Sequence, residues 1–161
     1  MTAVIERTST IEVVRPTDRS ALDDLFARCS PETVRRRFFG QPRMLPRGYV
    51  DEVLAGRPEL QDAVVVRLGA GGGLAGLASL GVAPAALPEL GVLVDDAWQG
   101  HGLGAAMVEA LVARARRRGV ERVSAFVLPG RSALLEALAR RLPLENVTRT
   151  SDGLVGVFRL S

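Results

Sequence analysis

The sequence predicts a single α+β domain, a mixed but mostly antiparallel central sheet flanked by helices. Three observations predict it. At 161 residues and 47% hydrophobic, the chain suits one compact domain with its own core. Short apolar runs divided by glycine- and proline-rich turns read as hairpins. The stretch from Glu89 to Val127 reads strand, glycine loop, long amphipathic helix, strand, which implies a parallel pair joined by a right-handed crossover.

Residues 1–10 read as a flexible leader and 11–161 as the domain. Thr10–Arg15 alternates and gives a first strand, ended by Pro16. Thr17 or Asp18 can cap a helix to about Arg28, with Leu22, Leu25 and Phe26 on one face. Ser30-Pro31 is a cap followed by proline at the first helical position, so a second helix covers Glu32–Phe39. Its run Arg35-Arg36-Arg37 wraps around the helix and cannot share one face. Gly40–Arg47 is a loop, and a short helix covers Tyr49–Ala55.

Residues 62–68 form a strand, Gly69–Gly73 a hairpin turn, and Leu74–Ala83 the partner strand. Pro84–Pro88 turns the chain into the apolar strand Glu89–Val94. Gly102–Gly119 is the longest helix. Leu103, Met107, Val108, Leu111, Val112 and Ala115 form its buried stripe, while Glu109, Arg114, Arg117 and Arg118 face outward. Val120–Val127 is the parallel partner strand, Arg131–Leu142 a last helix, and Leu144–Thr150 with Leu154–Leu160 a closing hairpin.

Composition excludes several functions. Arginine supplies all 21 basic residues and the net charge is only +3, too mild for a nucleic-acid surface without a recognisable module. Aromatic residues are too scarce for a base-stacking platform. One cysteine, Cys29, and one histidine, His101, argue against a disulfide within the chain and against a metal site. No apolar stretch approaches a membrane span, and the N-terminus lacks the apolar core of a secretory signal. The cytoplasm is the expected compartment, with no nucleic acid and no membrane as partner.

The chemistry-bearing motif is Gln99-Gly100-His101-Gly102-Leu103-Gly104. Glycines at a strand-to-helix junction leave backbone N–H groups uncovered, which makes an anion site. A nucleotide P-loop is excluded, because Gly104 is followed by Ala105-Ala106 instead of lysine and a hydroxyl residue. A dinucleotide fingerprint is excluded by context: the loop comes late, after hairpins, and Glu121 is not at the end of the next strand.

The same six residues match the Q/R-x-x-G-x-G/A loop of the GNAT superfamily of acyl-CoA-dependent N-acyltransferases, which the chain resembles from Ile11 to its last strand. Residues 15–39, RPTDRSALDDLFARCSPETVRRRFF, also resemble the N-terminal helix pair of the acetyltransferase domain in bacterial protein lysine acetyltransferases. The resemblance implies an acetyl-CoA-dependent N-acetyltransferase acting by direct transfer on a primary amine, a protein lysine or a small molecule. It implies that the amides of Gly100, His101, Gly102, Leu103, Gly104 and Ala105, with Gln99 opening the loop, hold the diphosphate of coenzyme A. Val92-Leu93-Val94 would bond the pantetheine arm. A homodimer is left open.

Amine acylation by a thioester requires removal of a proton and stabilisation of charge on oxygen. Glu89, ten positions before Gln99, lies where the resembled enzymes carry a catalytic glutamate, and a partly buried carboxylate there can take that proton. His101 lies in the loop and reads as a phosphate-side contact or a solvent-facing residue. The tyrosine that many relatives use as general acid has no counterpart between Arg131 and Pro143. Tyr49 lies far upstream, so solvent is left to protonate the thiolate. The acceptor is expected between the N-terminal helices and the closing hairpin, rimmed by Arg35–Arg37, Phe38, Phe39 and Tyr49. Arginines there suit a carboxylate-bearing acceptor, whereas Asp51 and Glu52 suit a lysine. The missing tyrosine also admits a catalytically weak acyl-CoA-binding sensory or regulatory module.

Overall fold

The computed structural model describes residues 3–6, 9–40, 42–69, 73–82 and 86–160. The elements in chain order are β1 (Ala3–Glu6), β2 (Ser9–Val13), α1 (Arg19–Arg28), α2 (Pro31–Phe38), α3 (Arg47–Leu54), β3 (Gln61–Leu68), β4 (Leu74–Gly81) and β5 (Glu89–Val94). Then come α4 (Leu103–Arg117), β6 (Arg122–Val127), α5 (Ala133–Ala139), β7 (Leu144–Arg149) and β8 (Leu154–Arg159). The strands form one sheet in the order β1-β2-β3-β4-β5-β6-β8-β7. Neighbours are antiparallel except β5 and β6, which the α4 crossover makes parallel. The domain is therefore the α+β fold with a mixed, mostly antiparallel sheet.

Strand alternation sends successive side chains to opposite faces and splits the core in two. Val64, Val66, Ala78, Leu80, Leu90, Val123 and Ala125 meet Met107 and Leu111 of α4 and Leu135 and Leu138 of α5. Val65, Leu77 and Leu93 turn the other way, against Leu22 and Leu25 of α1, Val34 of α2 and Val50 and Val53 of α3. Leu90, Val92 and Val94 of β5 thus face α4, while Leu93 and its alternation mates Glu89 and Gly91 face α1–α3.

Four expectations change. Within residues 1–10, expected as a flexible leader, Ala3–Glu6 pairs with β2 as an edge strand, because the apolar Ala-Val-Ile run has a free sheet edge to join. Residues 1, 2, 7 and 8 lie outside the described residues. Asp18 stands at the N-cap of α1 without capping it. Its carboxylate instead takes the Arg67 guanidinium at 2.8 Å and the Arg15 N–H at 2.8 Å. Arg114 and Arg118 turn inward to Asp62, at 2.8 and 2.9 Å, because that carboxylate is buried beside α4 and requires a counter-charge. The last helix spans only Ala133–Ala139, and Leu142 closes it by donating its N–H to Leu138 at 2.8 Å. The turns read at 69–73 and 84–88 fall partly outside the described residues.

Candidate active site

β5 and β6 pair at only two positions, Glu89 with Ser124 and Leu90 with Ala125. Beyond Leu90 the strands diverge, while β5 stays paired with β4 through Val94. The carbonyl of Pro88 accepts the Ser124 N–H at 2.8 Å, so the main-chain groups of Pro88, Leu90, Val92 and Val94 face β6. At Val92 and Val94 that side opens into a cleft, and a splayed strand offers amide donors and acceptors to a ligand.

The glycine loop arrives at the same cleft. Gly100 and Gly102 have φ of +80° and +78°, a region that side-chain-bearing residues enter at a cost, and Gly102 is the N-cap of α4. No side chain caps this end. The Ala106 N–H makes the first helical bond, to Gly102, which leaves the amides of Leu103, Gly104 and Ala105 without helical acceptors. These free amides and the helix dipole favour an anion here. Asp95 and Asp96 fix the loop from behind. Asp95 accepts from Arg28 at 2.8 Å, and Asp96 accepts the Ser30 N–H at 2.8 Å. That backbone hydrogen bond holds the Asp96 carboxyl below its usual range.

Between the loop, β5, β6 and α5 lies a cavity of about 510 Å³, touched by Val92, Val94, Gln99, Val127 and Ser132. Arg36 and Arg131 also line it. With Arg35 they line an adjoining hollow in which Glu32 is the one carboxylate. Arg36 and Arg131 both pair with Glu32, at 3.0 and 2.6 Å. Three guanidinium groups around one acid leave this mouth positive.

A second cavity, about 410 Å³, lies at the opposite end of β5 and is touched by Glu89, Gly91, Glu52, Tyr49, Ser79 and Arg37. Tyr49 and the buried Ser79 share a hydrogen bond of 2.7 Å, and Arg37 donates to the same Ser79 Oγ at 3.3 Å. The Arg37 guanidinium sits 4.6 Å from the Phe38 ring and 5.0 Å from the Tyr49 ring. It lies on the backbone of Gly91, where an added Cβ would come within 2.5 Å of Arg37 Nε.

The residues singled out in the sequence divide between these cavities. Val92, Val94 and Gln99 line the first, with Gly104 seated on Val92, 3.5 Å from where its Cβ would be. Leu93, expected to bond the ligand arm with Val92 and Val94, is buried on the other face of β5 and its main-chain groups turn to β4, because alternate residues of a strand face opposite neighbours. The Gln99 amide nitrogen donates to Val94 O at 3.1 Å and to Thr33 Oγ at 3.0 Å, tying α2 to the end of β5. His101 is exposed, its Nδ1 3.0 Å from the Gln99 carbonyl and 3.1 Å from that of Trp98. Glu89 lines the second cavity and is exposed, where partial burial was expected.

The arginine run separates as its helical spacing requires. Arg35 and Arg36 reach the first cavity's mouth and only Arg37 reaches the second. Asp51 is drawn away to Arg19 at 2.5 Å, so Glu52 is the α3 carboxylate at the second cavity. Ser79 and Arg131 also line the two cavities, and no local signal in the sequence marks either. Burial, with Asp95 and Asp96 nearby, pushes the half-buried Cys29 thiol up to about 11, which keeps it protonated and unreactive. Among the described residues no cluster of His, Cys, Asp and Glu could hold a metal, and no helix is long and apolar enough to cross a membrane.

A family model described as the acetyltransferase (GNAT) family matches residues 21–142. No curated protein matches the chain. Solved structures share the fold. The GNAT domain of S. lividans PAT is 23% identical over 98% of this chain and 96% of that one, with a TM-score of 0.83. The protein yncA from Salmonella typhimurium, solved with its cofactor acetyl-CoA, is 18% identical over 94% and 92%, with a TM-score of 0.70. The ribosomal-protein-S18-alanine N-acetyltransferase from Escherichia coli is 19% identical over 95% and 94%, with a TM-score of 0.66.

Proposed function

The chain belongs to the acetyltransferase (GNAT) family, and we propose that it moves an acetyl group from acetyl-CoA directly to a primary amine. The observation that carries this reading is the position of β5. Its C-terminal half lines one cavity and its N-terminal half the other, and the sheet is splayed between them. Donor and acceptor can therefore meet across one strand without a covalent enzyme intermediate.

On the donor side, the residues present fit coenzyme A. The amides from Gly100 to Ala105 would hold the diphosphate, supported by the α4 dipole. The main-chain groups of Val92 and Val94 would bond the amide-rich arm. Arg35, Arg36 and Arg131 add positive charge at the mouth. On the acceptor side, Glu89 would take a proton from the incoming ammonium, directly or through a water. The freed amine nitrogen bonds the acetyl carbon, the carbon–sulfur bond breaks, the nitrogen gives up its remaining surplus proton to solvent, and the thiolate takes a proton from solvent. Charge gathering on the acetyl oxygen is met by backbone N–H donors in the splay, fixed in advance by β4.

A protein lysine is favoured by the resemblance of residues 15–39. Glu52 and Glu89 on the acceptor walls suit any ammonium group. The sensory alternative is favoured by the donor cavity itself, because the chain's one tyrosine, Tyr49, lines the other cavity. Two measurements decide. Acetyl-CoA at one hundred times its Kd should stabilise the fold by about 2.7 kcal/mol, and no rise in melting temperature would sink both readings. Thiol release is then followed against lysine peptides, polyamines and amino acids. Release with any amine supports the enzyme, and binding without release supports the sensor.

A further inference from the structure

Three arginines among the described residues are not freely exposed: Arg37, Arg67 and Arg114. Arg67 meets Asp18 at 2.8 Å and Glu12 at 3.3 Å, and Arg114 meets Asp62 at 2.8 Å. Arg37 has no carboxylate partner among the described residues. Among the described residues its polar contact is the Ser79 hydroxyl, at 3.3 Å, and two aromatic rings flank its guanidinium. A guanidinium partly withdrawn from water and presenting five N–H donors favours an anion. The other two have one within the fold, and Arg37 points its charge into a cavity.

That cavity is the acceptor pocket, so the missing anion would come with the acceptor. We infer that Arg37 binds a carboxylate carried by the acceptor a few bonds from its amine, which favours a small amino acid-like molecule over the protein lysine that the resemblance of residues 15–39 suggests. The inference rests on the amine-acceptor reading above. Glu89 and Gly91 share one face of β5, two residues and therefore about 6.7 Å apart. Arg37 covers Gly91, which has no side chain to displace it. An ammonium group beside Glu89 thus leaves a carboxylate on a short spacer within reach of Arg37. A planar guanidinium pairs with a carboxylate in bidentate fashion, and the ring of Tyr49 with the Ser79 hydrogen bond holds it in that orientation. The donor diphosphate is a poor alternative anion, because its amides lie at the other cavity, beyond the far end of β5.

The test uses the whole protein saturated with coenzyme A, so that binding is read without turnover. Glycine, β-alanine and 4-aminobutyrate are titrated against methylamine, ethylamine and propylamine by amide chemical-shift perturbation. At least one acid should bind ten-fold or more tightly than its matched amine. The preference should collapse in Arg37→Met and survive in part in Arg37→Lys, with the wild-type amide spectrum retained as the check on folding. Equal affinities in the wild-type protein overturn the inference whatever the variants do, and so does a preference that persists in Arg37→Met. Thiol release is scored separately. Release from neutral amines with no gain from a carboxylate overturns this inference alone. Absence of release from every amine, with the carboxylate preference intact, counts against the acetyltransferase reading and leaves the anion site standing.

Discussion

The two cavities on β5 are built in opposite ways. The backbone groups proposed to hold the donor come from one continuous stretch, Val92 to Ala105, in which strand, glycine loop and helix start follow one another, while side chains of α2, β6 and α5 complete that cavity. The acceptor side draws Arg37 from α2, Tyr49 and Glu52 from α3, Ser79 from β4 and Glu89 from β5. On the proposed function the first would recognise groups present in every acetyl-CoA, for which backbone amides suffice. The second would recognise a particular amine through side chains, which can change one at a time without disturbing the fold. Mutations should therefore separate binding of the donor from use of the acceptor.

The largest separation is expected at Glu89. Glu89→Gln keeps the size and loses the base, so turnover should fall by about 10²- to 10⁴-fold. Coenzyme A affinity, measured by calorimetry, should stay within a factor of two. An unchanged pH–rate profile in the variant would remove Glu89 as the base.

The second comparison is between a paired arginine and an unpaired one. Burial alone would push the Asp18 carboxyl up, but hydrogen bonds from Arg67 and the Arg15 N–H overcome this and hold it below its usual 3.8. A carboxyl lowered in the folded state stabilises the fold above the unfolded value and loses that contribution as pH falls through the folded one. Stability from this pair is thus complete at neutral pH and drains away below about pH 4. Asp18→Asn should cost about 1.5–3 kcal/mol at pH 7 and flatten that part of the acid limb in a urea titration. No such cost is expected at Arg37, which pairs with no carboxylate among the described residues, and an equal loss in Arg37→Met would show that it too is a structural cation.

The fold was legible because its signals are local. Ser30-Pro31 marks the start of α2, and Ser30 does accept the Thr33 N–H at 3.2 Å. The six apolar positions chosen for the long helix are the six that α4 buries. Register and pairing partners are not local, so nothing in the sequence marks Ala3–Glu6 as an edge strand or turns Arg114 inward. Ser79 sits in an unremarkable Leu-Ala-Ser-Leu run and acquires meaning only when α2 and α3 fold over β4. Periodicity showed that the three consecutive arginines could not share a face, but the cavity that each one reaches depends on the angle at which α2 lies across β5.

Gly102 gives a smaller effect on the donor side. With φ at +78°, Gly102→Ala either keeps the loop at a cost of about 1–2 kcal/mol or lets it relax. Nothing lies within 4 Å of the added Cβ, so strain and not collision is the cause. Coenzyme A affinity should weaken by about five- to thirty-fold, while turnover at saturating donor stays near the wild-type value. A matching fall in turnover at saturation would mean that the two sides are not separable.

The smallest effect is expected at the residue that draws most attention in the sequence. His101 is the chain's one histidine and stands inside the glycine loop, yet it belongs to the donor side. Its ring is exposed, tilted against Trp98 at 5.9 Å, with Nδ1 turned back to two backbone carbonyls. A carbonyl oxygen only accepts, so Nδ1 carries a proton when it makes these bonds, and the imidazole acts as a brace across Trp98 to His101. The proposed proton acceptor instead stands at the start of β5, twelve residues earlier. His101→Ala should therefore weaken coenzyme A binding by less than about three-fold, within the range of a single exposed hydrogen bond. The pH dependence of kcat should keep its shape. An acid limb that disappears in His101→Ala but persists in Glu89→Gln would exchange the roles assigned to these two residues and move the proton transfer to the donor side of the strand.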